Sequence, residues 1–292
     1  MIEKLKTIDT RLETLYKILE SCELCPRKCK VNRTIGMKGV CDAGMEMVVS
    51  SYGQHLGEEP ELVGTYGSGT IFFTGCNLLC IYCQNYDISH RKTGQTTSCE
   101  ELARIVLYLQ KVGCHNINFV TPTHFTPQIV QSLKEALSKG LKIPIVWNCG
   151  GYESVEVIRL LEGIVDIYMP DIKYSCSKVA ETYSSTPDYF ERCKEAVTEM
   201  HKQVGDLKVD SDGIAKKGLL VRHLVLPNNL AGSEEVFKFV ASLSKNSYIN
   251  IMAQYRPCGE SYKYPAINRR ITSEEFQKVL DIAWNVGLRR GF

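Results

Sequence analysis

Long apolar runs and a strong charge imbalance are both missing from this sequence. Nowhere in its 292 residues do apolar residues form a long unbroken run, and a helix needs about 18 of them to cross a bilayer. The first residues, Met1-Ile-Glu-Lys-Leu-Lys, carry charge where a signal peptide needs an apolar run. The formal net charge of +2 gives no electrostatic reason to expect nucleic acid or a membrane surface as a partner. We therefore expect a cytoplasmic protein.

Cysteine, by contrast, is abundant, with 13 in the chain. Reducing conditions in the cytoplasm disfavour structural disulfides, so this number of cysteines indicates metal binding. Hydrophobic residues make up 44% of the chain. That is enough for one large core, and a chain of this length is within range of a single α/β barrel.

Three of the cysteines form a triplet with the spacing Cys-x3-Cys-x2-Cys, at Cys76, Cys80 and Cys83, directly after the β-favouring run Gly69–Thr74. Each thiolate can cap one iron of a four-iron, four-sulfur (4Fe-4S) cluster, because such clusters select soft sulfur ligands. Three thiolates leave one iron without a protein ligand, and an open metal position is a place where a small molecule binds. The triplet therefore predicts chemistry rather than electron storage alone.

A second cysteine set follows residues 3–20, whose leucines and isoleucine recur at the spacing of an amphipathic helix. It consists of Cys22, Cys25, Cys29 and Cys41. A Cys-x2-Cys pair at the head of four cysteines in a turn-rich segment fits either tetrahedral zinc or a second iron-sulfur cluster. We predict a metal site here, and the spacing does not choose between the two.

The stretch 50–68 is rich in glycine and polar residues, which predicts a connection between two regions. Within it, His55, Glu58 and Glu59 are expected in a solvated loop, because such residues are usually exposed, and a position facing a ligand is the alternative. The chain then divides into an N-terminal helix with a four-cysteine metal-binding extension, residues 1–65, and a larger domain, residues 66–292.

Strand and helix patterns alternate through the larger domain. Capping residues, prolines in first turns and glycine stops indicate the helix ends, and right-handed crossovers would make the strands parallel. A closed eight-unit barrel takes about 250 residues, and fewer follow Tyr66. We therefore predict an α/β fold, a partial (β/α)6 barrel of parallel strands with a small Cys-rich N-terminal extension. After the triplet, the predicted strands are 116–120, 143–147, 164–169, 219–225 and 248–252. The predicted helices begin at Ser98, Thr126, Ser154, Thr186, Ser233 and Thr272.

Polar residues follow each predicted strand, where barrels of parallel strands carry their working residues. Asp171 and Lys173 point to one side because side chains alternate along a strand, and an internal ion pair is the alternative reading. His124 is either a group that titrates near neutral pH or a structural histidine. Cys258 is a reactive thiol only as a minor alternative. The strand-end candidates are Thr121, Thr123, His124, Asn148, Asp171, Lys173, Arg222 and Gln254.

The triplet, with Tyr82 just before its last cysteine, resembles the signature of radical S-adenosylmethionine (radical SAM) enzymes. The surrounding sequence, from Gly67 to Tyr86, is similar to the pyruvate formate-lyase activating enzyme-like branch, and the resemblance extends from about Cys22 to Pro257. It implies a partial barrel, a 4Fe-4S cluster and S-adenosylmethionine, with Tyr82 against the adenine.

The same resemblance implies roles for the strand ends. Asn148, Asp171, Lys173 and Arg222 match positions that lie against S-adenosylmethionine. Two strand ends depart from the family pattern. Thr121 and Thr123 stand where many members have a Gly-Gly-Glu element, so their hydroxyls are expected to replace it, and Gln254 stands where activating enzymes more often have a histidine.

The implied activity is that of a radical SAM oxidoreductase. An external flavodoxin- or ferredoxin-type donor supplies one electron, S-adenosylmethionine is cleaved to methionine and a 5′-deoxyadenosyl radical, and this radical abstracts hydrogen from a substrate that the sequence does not identify. One alternative is a glycyl-radical enzyme activase, which acts on a glycine of a protein partner that enters the open side of the barrel. Another is a non-catalytic iron-sulfur electron carrier, which would not need strand ends that carry Asp171, Lys173 and Arg222. We rank a radical enzyme with a small-molecule or peptide substrate first.

Overall fold

The computed structural model describes residues 2–292, which form nine strands and ten α-helices joined by loops and short 3-10 turns. The strands are β1 Met47–His55, β2 Ser68–Phe73, β3 Gln95–Thr97, β4 Ile117–Val120, β5 Ile145–Cys149, β6 Ile167–Pro170, β7 Lys208–Val209, β8 Ala215–Leu224 and β9 Tyr248–Met252. The helices are α1 Ile2–Lys17, α2 Pro60–Val63, α3 Tyr86–Ser89, α4 Cys99–Lys111, α5 Thr126–Ser138, α6 Val155–Leu160, α7 Ser177–Ser184, α8 Tyr189–Val204, α9 Ser233–Leu243 and α10 Ser273–Asn285.

Six strands form the parallel centre of the sheet, in the order β2, β4, β5, β6, β8 and β9. Their register aligns the carboxyl ends, with Phe72 beside Val120 and Val120 beside Asn148. All five residues of β5 are buried, as expected for a parallel strand covered on both faces. The prediction of an α/β fold with six parallel strands is confirmed.

Helices cover the outside of this sheet, and their first turns explain where several of them begin. Ser98 caps α4 by accepting a hydrogen bond from the Glu101 N–H, while the Glu101 carboxylate accepts one from the Ser98 N–H. Thr272 and Glu275 form the same reciprocal pair at α10. Such a capping box satisfies two of the backbone donors that a helix start leaves free.

The stretch 50–68 is not a simple connection, and that expectation was wrong. Its first part belongs to β1, which pairs antiparallel with β2 and, at its start, with the edge strand β3. Its middle forms α2, whose Leu62 is fully buried among inward-facing side chains such as Val146 and Met169. The stretch has the composition of a loop because most of β1 after Val49 is exposed and therefore polar. The pairing of β1 with its neighbouring strands cannot be detected from composition.

The segment around α2 also crosses the gap between β2 and β9, the two outer strands of the parallel set. Tyr248 in β9 donates its hydroxyl to the Glu61 carboxylate over 2.6 Å, and Asn250 donates to Glu59 over 2.9 Å. The Leu62 carbonyl accepts a hydrogen bond from Asn116, just before β4. This segment therefore closes the barrel toward the amino-terminal ends of its strands.

Three helix details differ from the sequence expectations. Thr186 does not start a helix, because α8 begins at Tyr189 after Asp188. Helices α3 and α7 were not anticipated. The helix predicted at Thr126 does begin there, but Thr126, expected as its cap, is instead the first residue of α5, and its hydroxyl donates to the Thr123 carbonyl over 2.8 Å. In residues 2–292, the structure contains no helix with the length and apolar character needed to span a membrane.

Candidate active site

The triplet lies in the loop after β2, at the carboxyl ends of the parallel strands. Cys76, Cys80 and Cys83 line one cavity. Burial raises the pKa of Cys76 to about 12, and the neighbouring Cys80 and Cys83 add to the effect. Burial and Cys80 likewise raise the pKa of Cys83. Burial thus makes these thiols hard to ionise. A bound metal offsets that cost because it stabilises thiolates and displaces their protons. The three cysteines therefore fit an iron-sulfur cluster.

Two hydrogen bonds reach the sulfurs of the triplet. The Ser184 hydroxyl, at the end of α7, donates to Cys80 Sγ over 3.0 Å, and the Leu78 N–H donates to Cys76 Sγ over 3.4 Å. Hydrogen bonds to cysteine sulfur are one of the ways in which a protein sets the reduction potential of a cluster. The triplet loop is thus already equipped with two such groups.

Strand-end residues form the rest of the cavity wall. They come from β4, β5, β6, β8 and the segment after β9, which the parallel register brings to one edge of the sheet. The candidates on this wall are Tyr82, Thr121, Asn148, Asp171, Lys173, Arg222 and Gln254. The structure therefore brings these seven candidates together with the triplet.

A charged network runs along this wall, centred on Asp171. Its carboxylate accepts from Lys173 Nζ over 2.6 Å and from Arg222 Nε over 2.8 Å. Arg222 also donates to Asn148 Oδ1 over 2.7 Å. Burial alone would raise the pKa of Asp171, but the charges of Arg222 and Lys173 outweigh it and lower that pKa. The sequence left a role at the cavity and an internal ion pair as alternatives for Asp171 and Lys173, and the structure contains both arrangements.

Two acidic residues that the sequence placed in a solvated loop lie behind Arg222, so that expectation was wrong for both. Arg222 Nη1 is 3.5 Å from a Glu58 oxygen and 4.0 Å from a Glu59 oxygen. Burial raises the pKa of Glu58 to about 7, although Arg222 acts in the opposite direction. Glu59 Oε2 is buried without a hydrogen-bond partner. His55, in contrast, is exposed as expected.

Tyr82 and Thr121 shape the cavity by packing and backbone conformation. The Tyr82 ring makes edge contacts with Tyr174, Tyr183 and Tyr255, with ring centroids 5.8 to 6.3 Å apart. Such contacts hold an aromatic wall in one orientation. Thr121 has a φ of 56°, a left-handed conformation that is strained for a β-branched residue.

The structure separates Thr123 and His124 from the other strand-end candidates. Thr123 is fully buried and donates its hydroxyl to Glu153 Oε1 over 2.7 Å. Burial raises the pKa of that carboxyl to about 8. His124 Nε2 lies 2.7 Å from the Thr74 carbonyl, and its buried Nδ1 has no hydrogen-bond partner. Burial lowers the pKa of His124 to about 4.

His124 faces a second cavity, which contains all of the N-terminal cysteines. The residues on its wall include Cys22, Cys25, Cys29, Cys41, Arg33, Asn77 and His124. Burial raises the pKa of Cys25 and of Cys41. A Cβ atom at Gly39 would lie 2.8 Å from Cys29 Sγ, so only glycine leaves room for the sulfur there. Cys258 is not among the residues that line either cavity.

Across residues 2–292, no group of three or more histidine, cysteine, aspartate or glutamate side chains has the arrangement of ligands around a single metal ion. The thiolates of an iron-sulfur cluster are each bound to a different iron. They therefore surround a group of atoms rather than one point.

Comparison with known proteins supplies the family context. The model of the Radical SAM superfamily matches residues 70–215. The chain is 35% identical over 284 residues to an uncharacterized protein of Methanocaldococcus jannaschii, and the match covers 94% of this chain and 78% of that protein.

Two solved structures share the fold at low sequence identity. A radical SAM methyltransferase from Sphaerobacter thermophilus has a TM-score of 0.50 at 16% identity, covering 76% of this chain and 65% of the other. HydG, a maturase of the FeFe hydrogenase, has a TM-score of 0.51 at 15% identity, covering 73% of this chain and 47% of HydG. This chain thus matches somewhat less than two thirds of the methyltransferase and about half of HydG. Identities this low support a shared fold alone.

Proposed function

Because the chain belongs to the radical SAM superfamily, we propose that Cys76, Cys80 and Cys83 hold a 4Fe-4S cluster and that S-adenosylmethionine binds beside it. The observation that carries the proposal is the shared cavity, in which the triplet meets polar side chains from five strand ends. When bound, such a cluster supplies the electron that cleaves S-adenosylmethionine to methionine and a 5′-deoxyadenosyl radical, which takes hydrogen from the substrate. A flavodoxin- or ferredoxin-type protein is the proposed electron donor.

The polar wall would hold the cosubstrate. Lys173 and Arg222 offer positive charge and N–H donors for a carboxylate or for ribose oxygens, and Asp171 fixes both cations on the same side. Tyr82 offers a rigid ring face to the adenine. Thr121, Asn148 and Gln254 add hydrogen-bonding groups at the cavity edge. A closed, preorganised wall of this kind positions a reactive carbon next to the hydrogen it removes.

For the substrate, we favour a small molecule or a short peptide, so the enzyme would be a radical oxidoreductase with a substrate other than a folded protein. The support is the departure after β4, where residues 121–124 replace the Gly-Gly-Glu element of many family members, together with the N-terminal cysteine set. A glycyl-radical enzyme activase remains the second candidate, and copurification of a glycyl-radical protein would favour it.

We also propose that Cys22, Cys25, Cys29 and Cys41 bind a metal, either zinc or the irons of a second cluster. Their common cavity supports this proposal. Because no three cysteine, histidine, aspartate or glutamate side chains in residues 2–292 surround a single point, zinc would require the side chains to move, whereas each thiolate of a cluster binds its own iron. A chain with Cys76, Cys80 and Cys83 all changed to alanine isolates the second site. Its zinc and iron content, measured by mass spectrometry after anaerobic reconstitution, would identify the metal, and the absence of both metals would refute the site.

The central experiment measures cosubstrate cleavage. The chain is reconstituted with iron and sulfide under anaerobic conditions, given S-adenosylmethionine and dithionite, and assayed for 5′-deoxyadenosine. Cys80→Ala should release none, whereas Cys176→Ala, which changes an exposed cysteine outside both sets, should match the wild type. A cluster-loaded wild type that releases no 5′-deoxyadenosine would favour an electron carrier over a radical enzyme.

A further inference from the structure

The N-terminal cysteine segment packs directly on the triplet loop, and one side chain makes most of the polar contact. Arg27 lies between Cys25 and Cys29, two proposed ligands of the second metal. Its guanidinium donates to the Asn77 carbonyl over 2.9 Å and to the Leu78 carbonyl over 3.4 Å. Both carbonyls belong to the loop between Cys76 and Cys80.

The same guanidinium reaches the end of α7. It donates to the Ser184 carbonyl over 2.8 Å and to the Ser185 carbonyl over 2.5 Å. A positive charge is favourable there because the last carbonyls of a helix carry partial negative charge. Arg27 therefore ties the triplet loop to the end of α7 with one planar group, a geometry that an arginine fork provides and a lysine does not.

The two tied segments are those that hydrogen-bond the triplet sulfurs. Ser184 donates to Cys80 Sγ, and the Leu78 N–H donates to Cys76 Sγ. The Ile81 N–H also donates to the Tyr183 carbonyl over 3.0 Å. Any movement of Arg27 would therefore change the placement of both donors relative to the sulfurs.

A backbone contact joins the same two regions independently. A Cβ atom at Gly75, the residue before Cys76, would lie 2.5 Å from the Cys41 carbonyl oxygen. Gly75 also has a φ of 80°, so both space and conformation require glycine there. Both the Cys25–Cys29 loop and Cys41 thus touch the triplet loop.

We propose that Arg27 is a positioning residue through which the N-terminal metal centre sets the properties of the triplet cluster. Metal bound by Cys25 and Cys29 fixes both ends of the short loop that carries Arg27, and Arg27 fixes the donors to Cys76 and Cys80. The proposal rests on the proposed function, because it requires a cluster on the triplet and a metal on the N-terminal set.

The expected consequence is a change in the reduction potential of the triplet cluster. Potentials depend on nearby charge and on hydrogen bonds to the sulfurs. Without Arg27, a positive charge is removed and the two sulfur donors are loosened, and each change makes a negatively charged cluster harder to reduce. The midpoint potential should therefore become more negative.

The test compares electron paramagnetic resonance spectra and midpoint potentials of the reduced triplet cluster, without relying on activity. The variants are Arg27→Ala, the double variant Cys25→Ser/Cys29→Ser, and the combination of all three changes. Both Arg27→Ala and the cysteine variant should alter the spectrum and lower the potential, and the combination should add nothing to the larger of the two shifts, since both act through one contact. Arg104→Ala, which removes a 70% exposed guanidinium on α4 that lines neither cysteine cavity, should leave both readouts unchanged.

The outcomes separate this proposal from the one on which it rests. A wild type that assembles no triplet cluster would overturn the proposed function. A normal wild-type cluster whose spectrum and potential are unchanged in Arg27→Ala would overturn the positioning role alone. Fully additive shifts would overturn the coupling between the two centres. Arg27→Ala keeps all four N-terminal cysteines, so it decides the positioning role even if the cysteine variant fails to fold.

Discussion

The two cysteine-lined cavities of this protein lie next to each other but differ in what surrounds the sulfurs. The triplet cavity has three cysteines and a wall of polar strand ends, among them Asp171, Lys173 and Arg222. The N-terminal cavity has four cysteines, and its further polar lining includes His124 and Arg33, whose guanidinium is occupied by backbone carbonyls. The triplet cavity therefore has hydrogen-bonding groups that can bind a small molecule beside the cysteines. The N-terminal cavity has enough thiolates to fill the coordination of a metal without any other ligand.

This difference teaches how ligand number and surroundings together indicate a role. A metal with a full set of protein ligands stabilises structure, whereas one with a vacant position can bind a reactant. Cysteine count alone would make the N-terminal set the stronger metal site. The strand ends make the triplet the better candidate for chemistry.

The sharpest test of this contrast removes one cysteine from each cavity. Cys83→Ala should abolish the release of 5′-deoxyadenosine, because the cluster loses one of only three protein ligands. Cys29→Ala should lower the release without abolishing it, because the second centre supports the first rather than reacting. The assay is run with matched protein and iron content. Equal and complete loss in both variants would show that the two cavities do not have separate roles.

The next largest effect is expected from the charged wall. In Asp171→Asn, Lys173 and Arg222 lose the carboxylate they share, and their side chains are only 17% exposed. Breaking a mostly buried ion pair leaves charge uncompensated, so we expect the free energy of unfolding to fall by about 3 kcal/mol and S-adenosylmethionine to bind more weakly. Chemical denaturation and equilibrium binding measure the two effects.

The control for this prediction is an exposed ion pair. Asp87→Asn breaks the contact with Arg91, whose side chain is 72% exposed, and should change stability by about 0.5 kcal/mol or less. If Asp87→Asn and Asp171→Asn lower the free energy of unfolding by similar amounts, burial of the Asp171 ion pairs contributes little to stability.

Much of the fold could be predicted because the parallel strands are buried and carry strong patterns. The observed bounds of β9 and the first residue of α9 equal the predicted ones, and both capping boxes lie where Ser98 and Thr272 indicated. The failures have a common cause. Strand β1 and helix α2 are fixed by partners far away in sequence, such as the bond from Asn250 to Glu59, and local patterns do not contain those partners.

The candidate site could be predicted to a similar degree. Alternation along a strand correctly placed Asp171 and Lys173 on one side, at the triplet cavity. Thr123 does not join Thr121 on the cavity wall, because the positive φ of Thr121 redirects the chain into a short 3-10 turn that contains Thr123 and His124. The preference for a solvated loop at Glu58 and Glu59 was wrong because nothing near them in sequence indicates contact with Arg222.

A third prediction concerns Glu153, a buried carboxyl near one cysteine of each cavity. It accepts the Thr123 hydroxyl, and its carboxyl is close enough to Cys25 and Cys149 to influence the pKa of each. Burial raises the pKa of Glu153 from its ordinary 4.5 to about 8. Below the ordinary value, both folded and unfolded chains hold the proton. As the pH rises from there to about 8, the unfolded chain loses the proton that the folded chain keeps, so stability falls.

Each pH unit in that window corresponds to about 1.4 kcal/mol, so the loss between pH 6 and pH 8 should be about 2 kcal/mol. Glu153→Gln keeps an acceptor for Thr123 but cannot ionise, and it should remove most of this dependence. Denaturant midpoints at the two pH values measure it. Glu234→Gln, which changes an exposed carboxylate, is the control and should keep the pH dependence of the wild type. If Glu153→Gln also keeps it, groups other than Glu153 cause the loss of stability between pH 6 and pH 8.

The smallest predicted effect compares backbone strain beside each cavity. Thr121, at the triplet cavity, and Lys30, in the N-terminal turn, have φ values of 56° and 57°. Asparagine tolerates this conformation better than either residue, so Thr121→Asn and Lys30→Asn should each raise stability by about 1 kcal/mol, or the melting temperature by about 2–4 °C. If strain at Thr121 serves to shape the cosubstrate wall, only Thr121→Asn should also weaken S-adenosylmethionine binding. Equal affinities in the two variants would mean that the strained residue has no part in binding, and the contrast between the cavities would then depend on the charged groups alone.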